Sequence, residues 1–270
     1  FNDFARDLAK RWVEKYSLAG RTVLEIGCGK GEFLEMMCEA GVQRGIGIDP
    51  SAHPDRLNSE AASRIEWITD FYSESYSHLQ ADAVVCRHTL EHIAPVGDFM
   101  RMVRAGIGDR LDTIVLFELP DVKRVLEEVA FWDVYYEHCS YFSAGSLARL
   151  FRSTGFEVLD VSLDYDDQYL LIEARPTDQP AAGDPFDIES DMDALSEAVD
   201  NFEQSYRATL QAWRSQVTEV VADDGRVVIW GAGSKGVAYL TSLSIQDEIQ
   251  YAVDINPHKQ GMFMAGTGQE

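Results

Sequence analysis

Short apolar runs with strand character alternate with helical patterns along most of the chain. An amphipathic helix is predicted over residues 1–20, where Phe4, Leu8, Trp12 and Tyr16 recur at every fourth position. The predicted strands cover residues 22–26, 45–48, 65–68, 83–86, 113–117, 156–163 and 169–173. This alternation predicts a doubly wound α/β fold, in which a mostly parallel sheet is covered by helices on both faces.

The composition changes after the last of these strands. Residues 176–190 concentrate Pro, Gly, Asp and Ala without periodicity, which indicates a linker between a first domain, residues 1–175, and a second region, residues 191–270. The second region begins with a long helical pattern over 192–221. A strand, a glycine turn, a short helix and a second strand follow, which predicts a partial Rossmann-like unit. Because a lone βαβ unit buries little surface, we expect either that this unit is truncated in the sequence or that its remaining end is disordered.

Charge and cysteine content narrow the function classes. The 270 residues include 46 Asp and Glu against 23 Lys and Arg, a net charge of −23. Such a chain repels nucleic-acid phosphates, so a DNA or RNA partner is not expected. No apolar run is long enough for a membrane span. The four cysteines form no C-x-x-C pair, so we expect neither a metal site nor disulfides. This pattern suits a reducing compartment, so we expect a cytoplasmic location.

The first of two glycine loops follows the first predicted strand. Gly27, Gly29 and Gly31 allow the backbone to approach a ligand closely at the carboxyl edge of the sheet. Glu25 is the next-to-last residue of that strand, and its carboxylate would repel a pyrophosphate. The loop therefore favours a cationic or amine-bearing ligand.

The next two strands also end in acids. Asp49 closes the second strand and can accept hydrogen bonds from both hydroxyls of a ribose. Asp70 and Phe71 follow the third strand and suit the amino group and the face of an adenine. The segments VLEIGCGKGEFL, GIGIDPS, ITDFY and VVCRHTLEHI resemble the class I methyltransferase family over roughly residues 20–175. The resemblance implies a seven-stranded sheet and S-adenosylmethionine as cofactor, held by Glu25, the three glycines, Asp49, Asp70 and Phe71.

The second glycine loop, residues 231–236, favours a different ligand. It contains no acid and begins a helix, so its N–H groups, the helix dipole and Lys235 favour an anion. Gly233 allows close approach, and Asp254 at the end of the following strand could bind a ribose. We expect a nucleotide diphosphate or phosphate here, with a tight strand–helix turn of purely structural importance as the alternative.

An aromatic segment follows the fifth strand and carries the candidate catalytic residues. Tyr136, Glu137 and His138 are adjacent, and a histidine beside a carboxylate is a candidate general base. Tyr135 and Tyr141 are candidate acceptor contacts. A positioning role for His138, and core packing for the tyrosines, stay open. His88 and His92, at the end of the fourth strand, are expected to be structural.

A closer resemblance joins the two halves of the chain. YYEHCSYFS, GAGSKGVAYL and DINPHKQGMFMAGT are similar to the sugar C-methyltransferase family, which methylates a carbon of a nucleotide-linked keto sugar and has a C-terminal Rossmann-like domain that holds the nucleotide. The resemblance implies that His138, with Glu137 and Tyr136, removes a proton beside a ketone. The family's cysteine-rich zinc-binding domain has no counterpart here, and residues 166–169 replace its usual Gly-Gly-Ser turn and arginine.

Three other functions remain as alternatives at this stage. The chain could be an O- or N-methyltransferase for a small metabolite, or a non-catalytic S-adenosylmethionine-binding module. A dinucleotide oxidoreductase is suggested only by the second glycine loop. The leading hypothesis is C-methylation of a small-molecule acceptor, a nucleotide-linked sugar or a similar phosphorylated compound. The pattern of residues gives no oligomeric state.

Overall fold

A computed structural model describes residues 1–54, 57, 59–134, 136–179, 184–245 and 247–270. The helices are α1 (Asn2–Lys15), α2 (Glu32–Glu39), α3 (Val96–Ile107), α4 (Val122–Glu127), α5 (Ala144–Ser153), α6 (Met192–Ala222) and α7 (Ser234–Leu243). The strands are β1 (Thr22–Ile26), β2 (Arg44–Ile48), β3 (Ile65–Ile68), β4 (Ala83–Arg87), β5 (Ile114–Pro120), β6 (Phe156–Asp164), β7 (Tyr169–Pro176), β8 (Val227–Trp230) and β9 (Ile249–Val253). Their contacts divide the chain into two compact units, residues 1–121 with 139–191, and residues 122–138 with 192–270.

The first unit is built on a seven-stranded sheet in the order β3-β2-β1-β4-β5-β7-β6. The first five strands in the chain are parallel, and β7 pairs antiparallel with both β5 and β6. The chain moves outward from β1 to β3 and then returns to β4 on the other side of β1. The strand order therefore reverses between β1 and β4, which is where open α/β sheets bind ligands.

Alternate residues of the central strands supply the two faces of the sheet. On β1, Val23 joins one buried apolar cluster and Leu24 joins the other. The same alternation holds on β4, where Val84 and Val85 point to opposite faces. Both faces are thus buried, which confirms the predicted doubly wound fold class.

Helix α1 is fixed to the sheet by one buried carboxylate. Glu173 on β7 accepts hydrogen bonds from Trp12 Nε1 at 3.0 Å, from Lys15 Nζ at 2.5 Å and from the hydroxyl of Tyr16. Trp12 and Leu8 are almost fully buried below it. The predicted amphipathic pattern over residues 1–20 therefore forms a helix that ends at Lys15, and its last turn is tied to the sheet.

The last residues of the predicted linker, with Asp191 directly after them, are bound to the first unit by hydrogen bonds and an ion pair. Residues 180–183 lie outside the described residues, but the residues after them contact the first unit. Glu189 forms a two-pronged ion pair with Arg152 of α5, at 2.5 and 2.8 Å. Asp191 accepts a hydrogen bond from the N–H of Gly145 in the first turn of α5, at 2.8 Å. These two acids satisfy charged and polar groups of α5, which is why the segment belongs to the first unit.

The second unit contains α6, the parallel pair β8–β9, and α7 between them. It also contains residues 122–138, which the sequence pattern had placed in the first domain. Aromatic packing explains why this segment belongs to the second unit. The centroid of the Phe131 ring lies 5.4 Å from that of the Tyr206 ring and 6.0 Å from that of the Tyr239 ring. No helix in the described ranges, including the long α6, has the length and apolar character needed to span a bilayer.

The Glu173 network gives a stability prediction. Replacing Glu173 with Gln removes the charge and leaves one oxygen for three donors, so the free energy of unfolding should fall by about 1–3 kcal/mol in urea titrations. The matched control is Arg175→Gln on the same strand, which removes an exposed ion pair with Glu157. That variant should change the free energy of unfolding by ~0.5 kcal/mol or less. Equal effects of the two variants would contradict the anchoring role of Glu173.

Candidate functional site

The first glycine loop needs its glycines for two separate reasons. Gly27 and Gly31 have φ of 73° and 74°, respectively. A Cβ atom on Gly27 would lie 2.0 Å from Thr89 Oγ1, and a Cβ atom on Gly31 would lie 2.1 Å from the Trp67 ring. Gly29 also has a positive φ, of 53°, but a Cβ there meets no described atom within 4 Å. Gly27 and Gly31 are therefore required by the protein's own packing, whereas Gly29 leaves open space above the backbone for a ligand.

The predicted ribose-binding acid also organises this loop. Asp49 Oδ2 accepts a hydrogen bond from the N–H of Gly29 at 2.9 Å, and Asp49 Oδ1 accepts from the N–H and hydroxyl of Ser51, both at 2.6 Å. Asp70, two residues after β3, accepts from the N–H of Phe71 and from the hydroxyl of Tyr76. The Phe71 ring is exposed. The structure brings all three predicted nucleoside contacts to one edge of the sheet.

Two cavities meet at the glycine loop. The first, of about 540 Å³, is lined by Glu25, Phe33 and Arg87 among others. The second, of about 580 Å³, is lined by Asp49, Asp70, Phe71 and the residues around Ile93. Both belong to the first unit. The predicted methionine contact and the predicted nucleoside contacts therefore line adjoining spaces on either side of the loop.

Glu25 is a buried acid with an unsatisfied oxygen. Its side chain lines the first cavity, and its Oε2 atom has no hydrogen-bond partner. Burial raises the pKa of Glu25 to about 8, against the opposing effects of the Arg87 charge and the Leu34 N–H. An orphaned carboxylate oxygen in a cavity is an acceptor for a cationic donor, so the site fits the ammonium group of S-adenosylmethionine.

A group of charged residues beside Glu25 was not anticipated from the sequence. Arg87 at the end of β4 makes two hydrogen bonds, of 2.7 and 2.9 Å, to the buried Glu118 of β5, and its guanidinium lies 4.0 Å from the Phe33 ring. His88 Nε2 lies 2.7 Å from Glu118 Oε1, in a close ionic contact rather than in the geometry of a hydrogen bond. The signal in the sequence was the Arg-His pair directly after an apolar strand, where a buried charge needs a partner.

The candidate catalytic segment lies at the end of residues 122–138, in the second unit. Tyr136 is exposed, and its hydroxyl lies 3.1 Å from Glu137 Oε1; this hydrogen bond raises the pKa of Tyr136. His138 is half-buried. Tyr141 is exposed and belongs to the first unit, and Tyr135 lies outside the described residues.

The second glycine loop differs from its predicted form in one respect. Gly233 caps α7, and a Cβ there would meet open space. Lys235, however, is paired with the buried Asp133, with 2.6 Å between Nζ and Oδ1. Asp254 accepts from the N–H groups of Ala232 and Asn256 and from Lys259 Nζ, all at 2.9 Å. The pKa of Asp254 is lowered to about 2 by these three hydrogen bonds, from the N–H of Asn256, from Lys259 and from the N–H of Ala232.

The two kinds of glycine in the first loop should respond differently to alanine. Gly27→Ala should destabilise the fold by roughly 2 kcal/mol or more, because strain and the clash with Thr89 add. Gly29→Ala should cost about 1 kcal/mol and stay folded, but weaken S-adenosylmethionine binding by ~10-fold or more, since the methyl group fills the ligand's space. Thermal melts and calorimetric titrations test both. The added substitution Thr89→Gly removes the clash but not the strain, so it should recover part of the stability lost in Gly27→Ala and none of that lost in Gly29→Ala.

Glu25 should make ligand affinity depend on pH. The free protein carries a proton on Glu25 below about pH 8, and a bound ammonium favours the ionised carboxylate, so binding releases that proton. Affinity for S-adenosylmethionine should therefore rise by ~10-fold per pH unit from pH 6 and level off near pH 8. Glu25→Gln should bind weakly with no such rise. A wild-type affinity that does not change over this range would contradict the assignment.

The comparisons with known proteins agree with this geometry. Residues 1–161 match the family described as a methyltransferase domain, and residues 185–269 match the C-methyltransferase C-terminal domain. Among solved structures, a riboflavin-derivative dimethyltransferase, RosA from Streptomyces davawensis, superposes with a TM-score of 0.51 and 21% identity, over 64% of this chain and 55% of that one. This likeness concerns the fold.

Two curated relatives illustrate the range of similarity. The C-methyltransferase NovU of Streptomyces niveus is 28% identical over 97% of this chain, which spans 65% of the relative's own length. A ubiquinone biosynthesis O-methyltransferase of Rhodopseudomonas palustris is 31% identical, over 36% of this chain and 42% of its own. Family and fold confirm the predicted cofactor class. The chain belongs to the methyltransferase domain family of the class I, S-adenosylmethionine-dependent fold, and it carries a C-methyltransferase C-terminal domain.

Proposed function

We propose that the protein transfers a methyl group from S-adenosylmethionine to a carbon atom of a nucleotide-linked sugar or a similar phosphorylated small molecule. The single observation that carries the proposal is the pairing of the two matches, in which a C-methyltransferase C-terminal domain follows the methyltransferase domain. The similarity to a C-methyltransferase extends over 97% of the chain and so covers both units.

The residues of the first unit hold the methyl donor in this proposal. Glu25 accepts the ammonium group through its unsatisfied oxygen, and the open space over Gly29 admits the ligand to the backbone. Asp49 and Asp70 accept hydrogen bonds from the ribose and the adenine, and Phe71 covers the adenine face. Bound S-adenosylmethionine supplies an electrophilic methyl group on a sulfonium sulfur, which becomes a neutral thioether after transfer.

His138 activates the acceptor. Its imidazole accepts the proton from the carbon beside a ketone, and the electron pair left on that carbon forms the new bond to the methyl carbon. Glu137 stabilises the imidazolium that results, and Tyr136 orients Glu137 through their 3.1 Å hydrogen bond.

The second glycine loop binds the nucleotide of the acceptor. The support is a cavity of about 440 Å³ in the second unit, lined by Ala232, Asp254 and Lys259. Gly233 leaves the first turn of α7 accessible, so its N–H groups can meet a phosphate. Lys259 lies 2.9 Å from Asp254 and compensates the charge of that acid, which reduces the repulsion of an anionic ligand. Tyr135 and Tyr141 are proposed acceptor contacts.

The base assignment is tested by separating proton removal from methyl transfer. With nucleotide-linked keto sugars as probes, the wild type should exchange the proton beside the ketone for deuterium in D₂O without any methyl donor. His138→Asn should slow this exchange and turnover by ~100-fold or more, the usual contribution of a general base, while S-adenosylmethionine affinity stays unchanged. His78→Asn, an exposed histidine outside both cavities of the first unit, is the matched control.

The methylated atom is identified by NMR of the product. A methyl signal coupled to a carbon skeleton supports the proposal. A methyl ether or a methylamine would select an O- or N-methyltransferase instead, and tight S-adenosylmethionine binding without product on any acceptor would indicate a binding module. Undiminished deuterium exchange in His138→Asn would remove His138 as the base and leave the methyl donor site unaffected.

A further inference from the structure

His88 occupies a special place between the two cavities of the first unit. Its backbone has a φ of 47°, in the left-handed region that non-glycine residues rarely adopt, and its N–H donates to the carbonyl of Glu118 at 2.8 Å. The side chain keeps 29% of its surface open. The strained backbone at the end of β4 turns the imidazole toward the carboxyl edge of the sheet, where both cavities lie.

Of the described residues, only Gly27, Gly29 and His88 line both cavities. The inference rests on the proposed function, in which the first cavity holds the amino-acid part of S-adenosylmethionine at Glu25 and the second holds its nucleoside at Asp49 and Asp70. The sulfur atom joins these two parts of the molecule. In the proposed function, His88 is therefore the residue whose side chain lies beside the sulfur, since the two glycines have no side chain.

The charged groups around His88 favour its protonated form. From β5, Glu118 Oε1 lies 2.7 Å from Nε2, and from the short 3-10 helix after β4, Glu91 Oε1 lies 3.8 Å from Nδ1. Arg87, on His88's own strand, is bound to Glu118 by two hydrogen bonds. From β1, Glu25 lines the first cavity, and from β7 the ring of Tyr169 lies 4.6 Å from the imidazole.

Desolvation lowers the pKa of His88, but Glu118 and then Glu91 raise it by more, so the net pKa lies above the usual value for histidine. The imidazole therefore keeps its proton to a higher pH than an unperturbed histidine does. The Glu118 and Glu91 carboxylates do not cover the imidazole completely, because 29% of the His88 side chain is exposed. The imidazole can therefore face the space that both cavities share.

We propose that His88 is a specificity-determining residue that distinguishes the methylated from the demethylated cofactor by charge. The imidazolium opposes the positive sulfonium of S-adenosylmethionine and has no such effect on the neutral thioether of S-adenosylhomocysteine. The repulsion is relieved as the methyl group leaves, so it raises the energy of the bound donor relative to the transition state. His88 thereby favours transfer and shifts the site's preference toward the product.

The test is the ratio of two dissociation constants, that for S-adenosylmethionine divided by that for S-adenosylhomocysteine, measured by calorimetry between pH 6 and 9. Both ligands carry the same ammonium group, so the titration of Glu25 cancels in the ratio. His88→Asn should lower the ratio by about three- to tenfold at pH 6, which is the Coulomb effect of removing one unit charge ~5 Å from another in a solvated site. Asn tolerates a left-handed backbone, so the variant preserves the fold.

The wild type provides a second measurement that needs no variant. Its ratio should fall as the pH rises through the pKa of His88 and should approach the value of His88→Asn, whose ratio should not change with pH. His78→Asn should behave like the wild type. Equal, pH-independent ratios in the wild type and His88→Asn would overturn the inference while leaving the cofactor assignment intact. Failure of the wild type to bind either ligand would overturn the proposed function as well.

Discussion

The ion pair between Arg87 and Glu118 is the interaction on which the cofactor site depends. The two residues are register partners on β4 and β5, both are buried, and two hydrogen bonds join them. Removing either partner would leave an uncompensated charge in the interior, which costs more than the pair itself contributes. The pair also affects its neighbours, because Arg87 opposes the rise in the pKa of Glu25 and Glu118 raises the pKa of His88.

The two glycine loops use one structural device for different purposes. The strand after each loop is followed by an aspartate, Asp49 in the first case and Asp254 in the second. Each aspartate accepts one hydrogen bond from an N–H of its glycine loop and another from the N–H of the residue two positions after the aspartate. The same two bonds therefore fix the same kind of turn. What differs is the strand before the loop, since β1 contributes the buried Glu25 and the second loop has no equivalent acid. In the proposed function both loops bind a ligand, and the presence or absence of this acid determines whether a cationic or an anionic ligand is favoured.

The candidate site residues that could be proposed from the sequence are those that lie close together along the chain or at the ends of predicted strands. Glu25 and the three glycines lie within seven positions, and the acids that follow β2 and β3 are marked by the ends of apolar runs. His88 was expected to be structural. The role proposed for it could not be inferred from the sequence, because it depends on Glu118, which lies 30 positions further on, and on two cavities that share His88. The placement of residues 122–138 in the second unit was also not predictable, since it depends on Phe131 packing against Tyr206 and Tyr239.

That placement divides the proposed chemistry between the two units. Residues 122–138 are attached to the second unit by the aromatic contacts of Phe131 and by the ion pair between Asp133 and Lys235 of α7. His138 ends this segment, so the proposed base is part of the same unit as the proposed nucleotide site. Lys235 is paired with Asp133 and Lys259 with Asp254, so the N–H groups of α7 are the groups proposed to meet a phosphate. In the proposed function, the second unit binds and deprotonates the acceptor and the first unit holds the methyl donor.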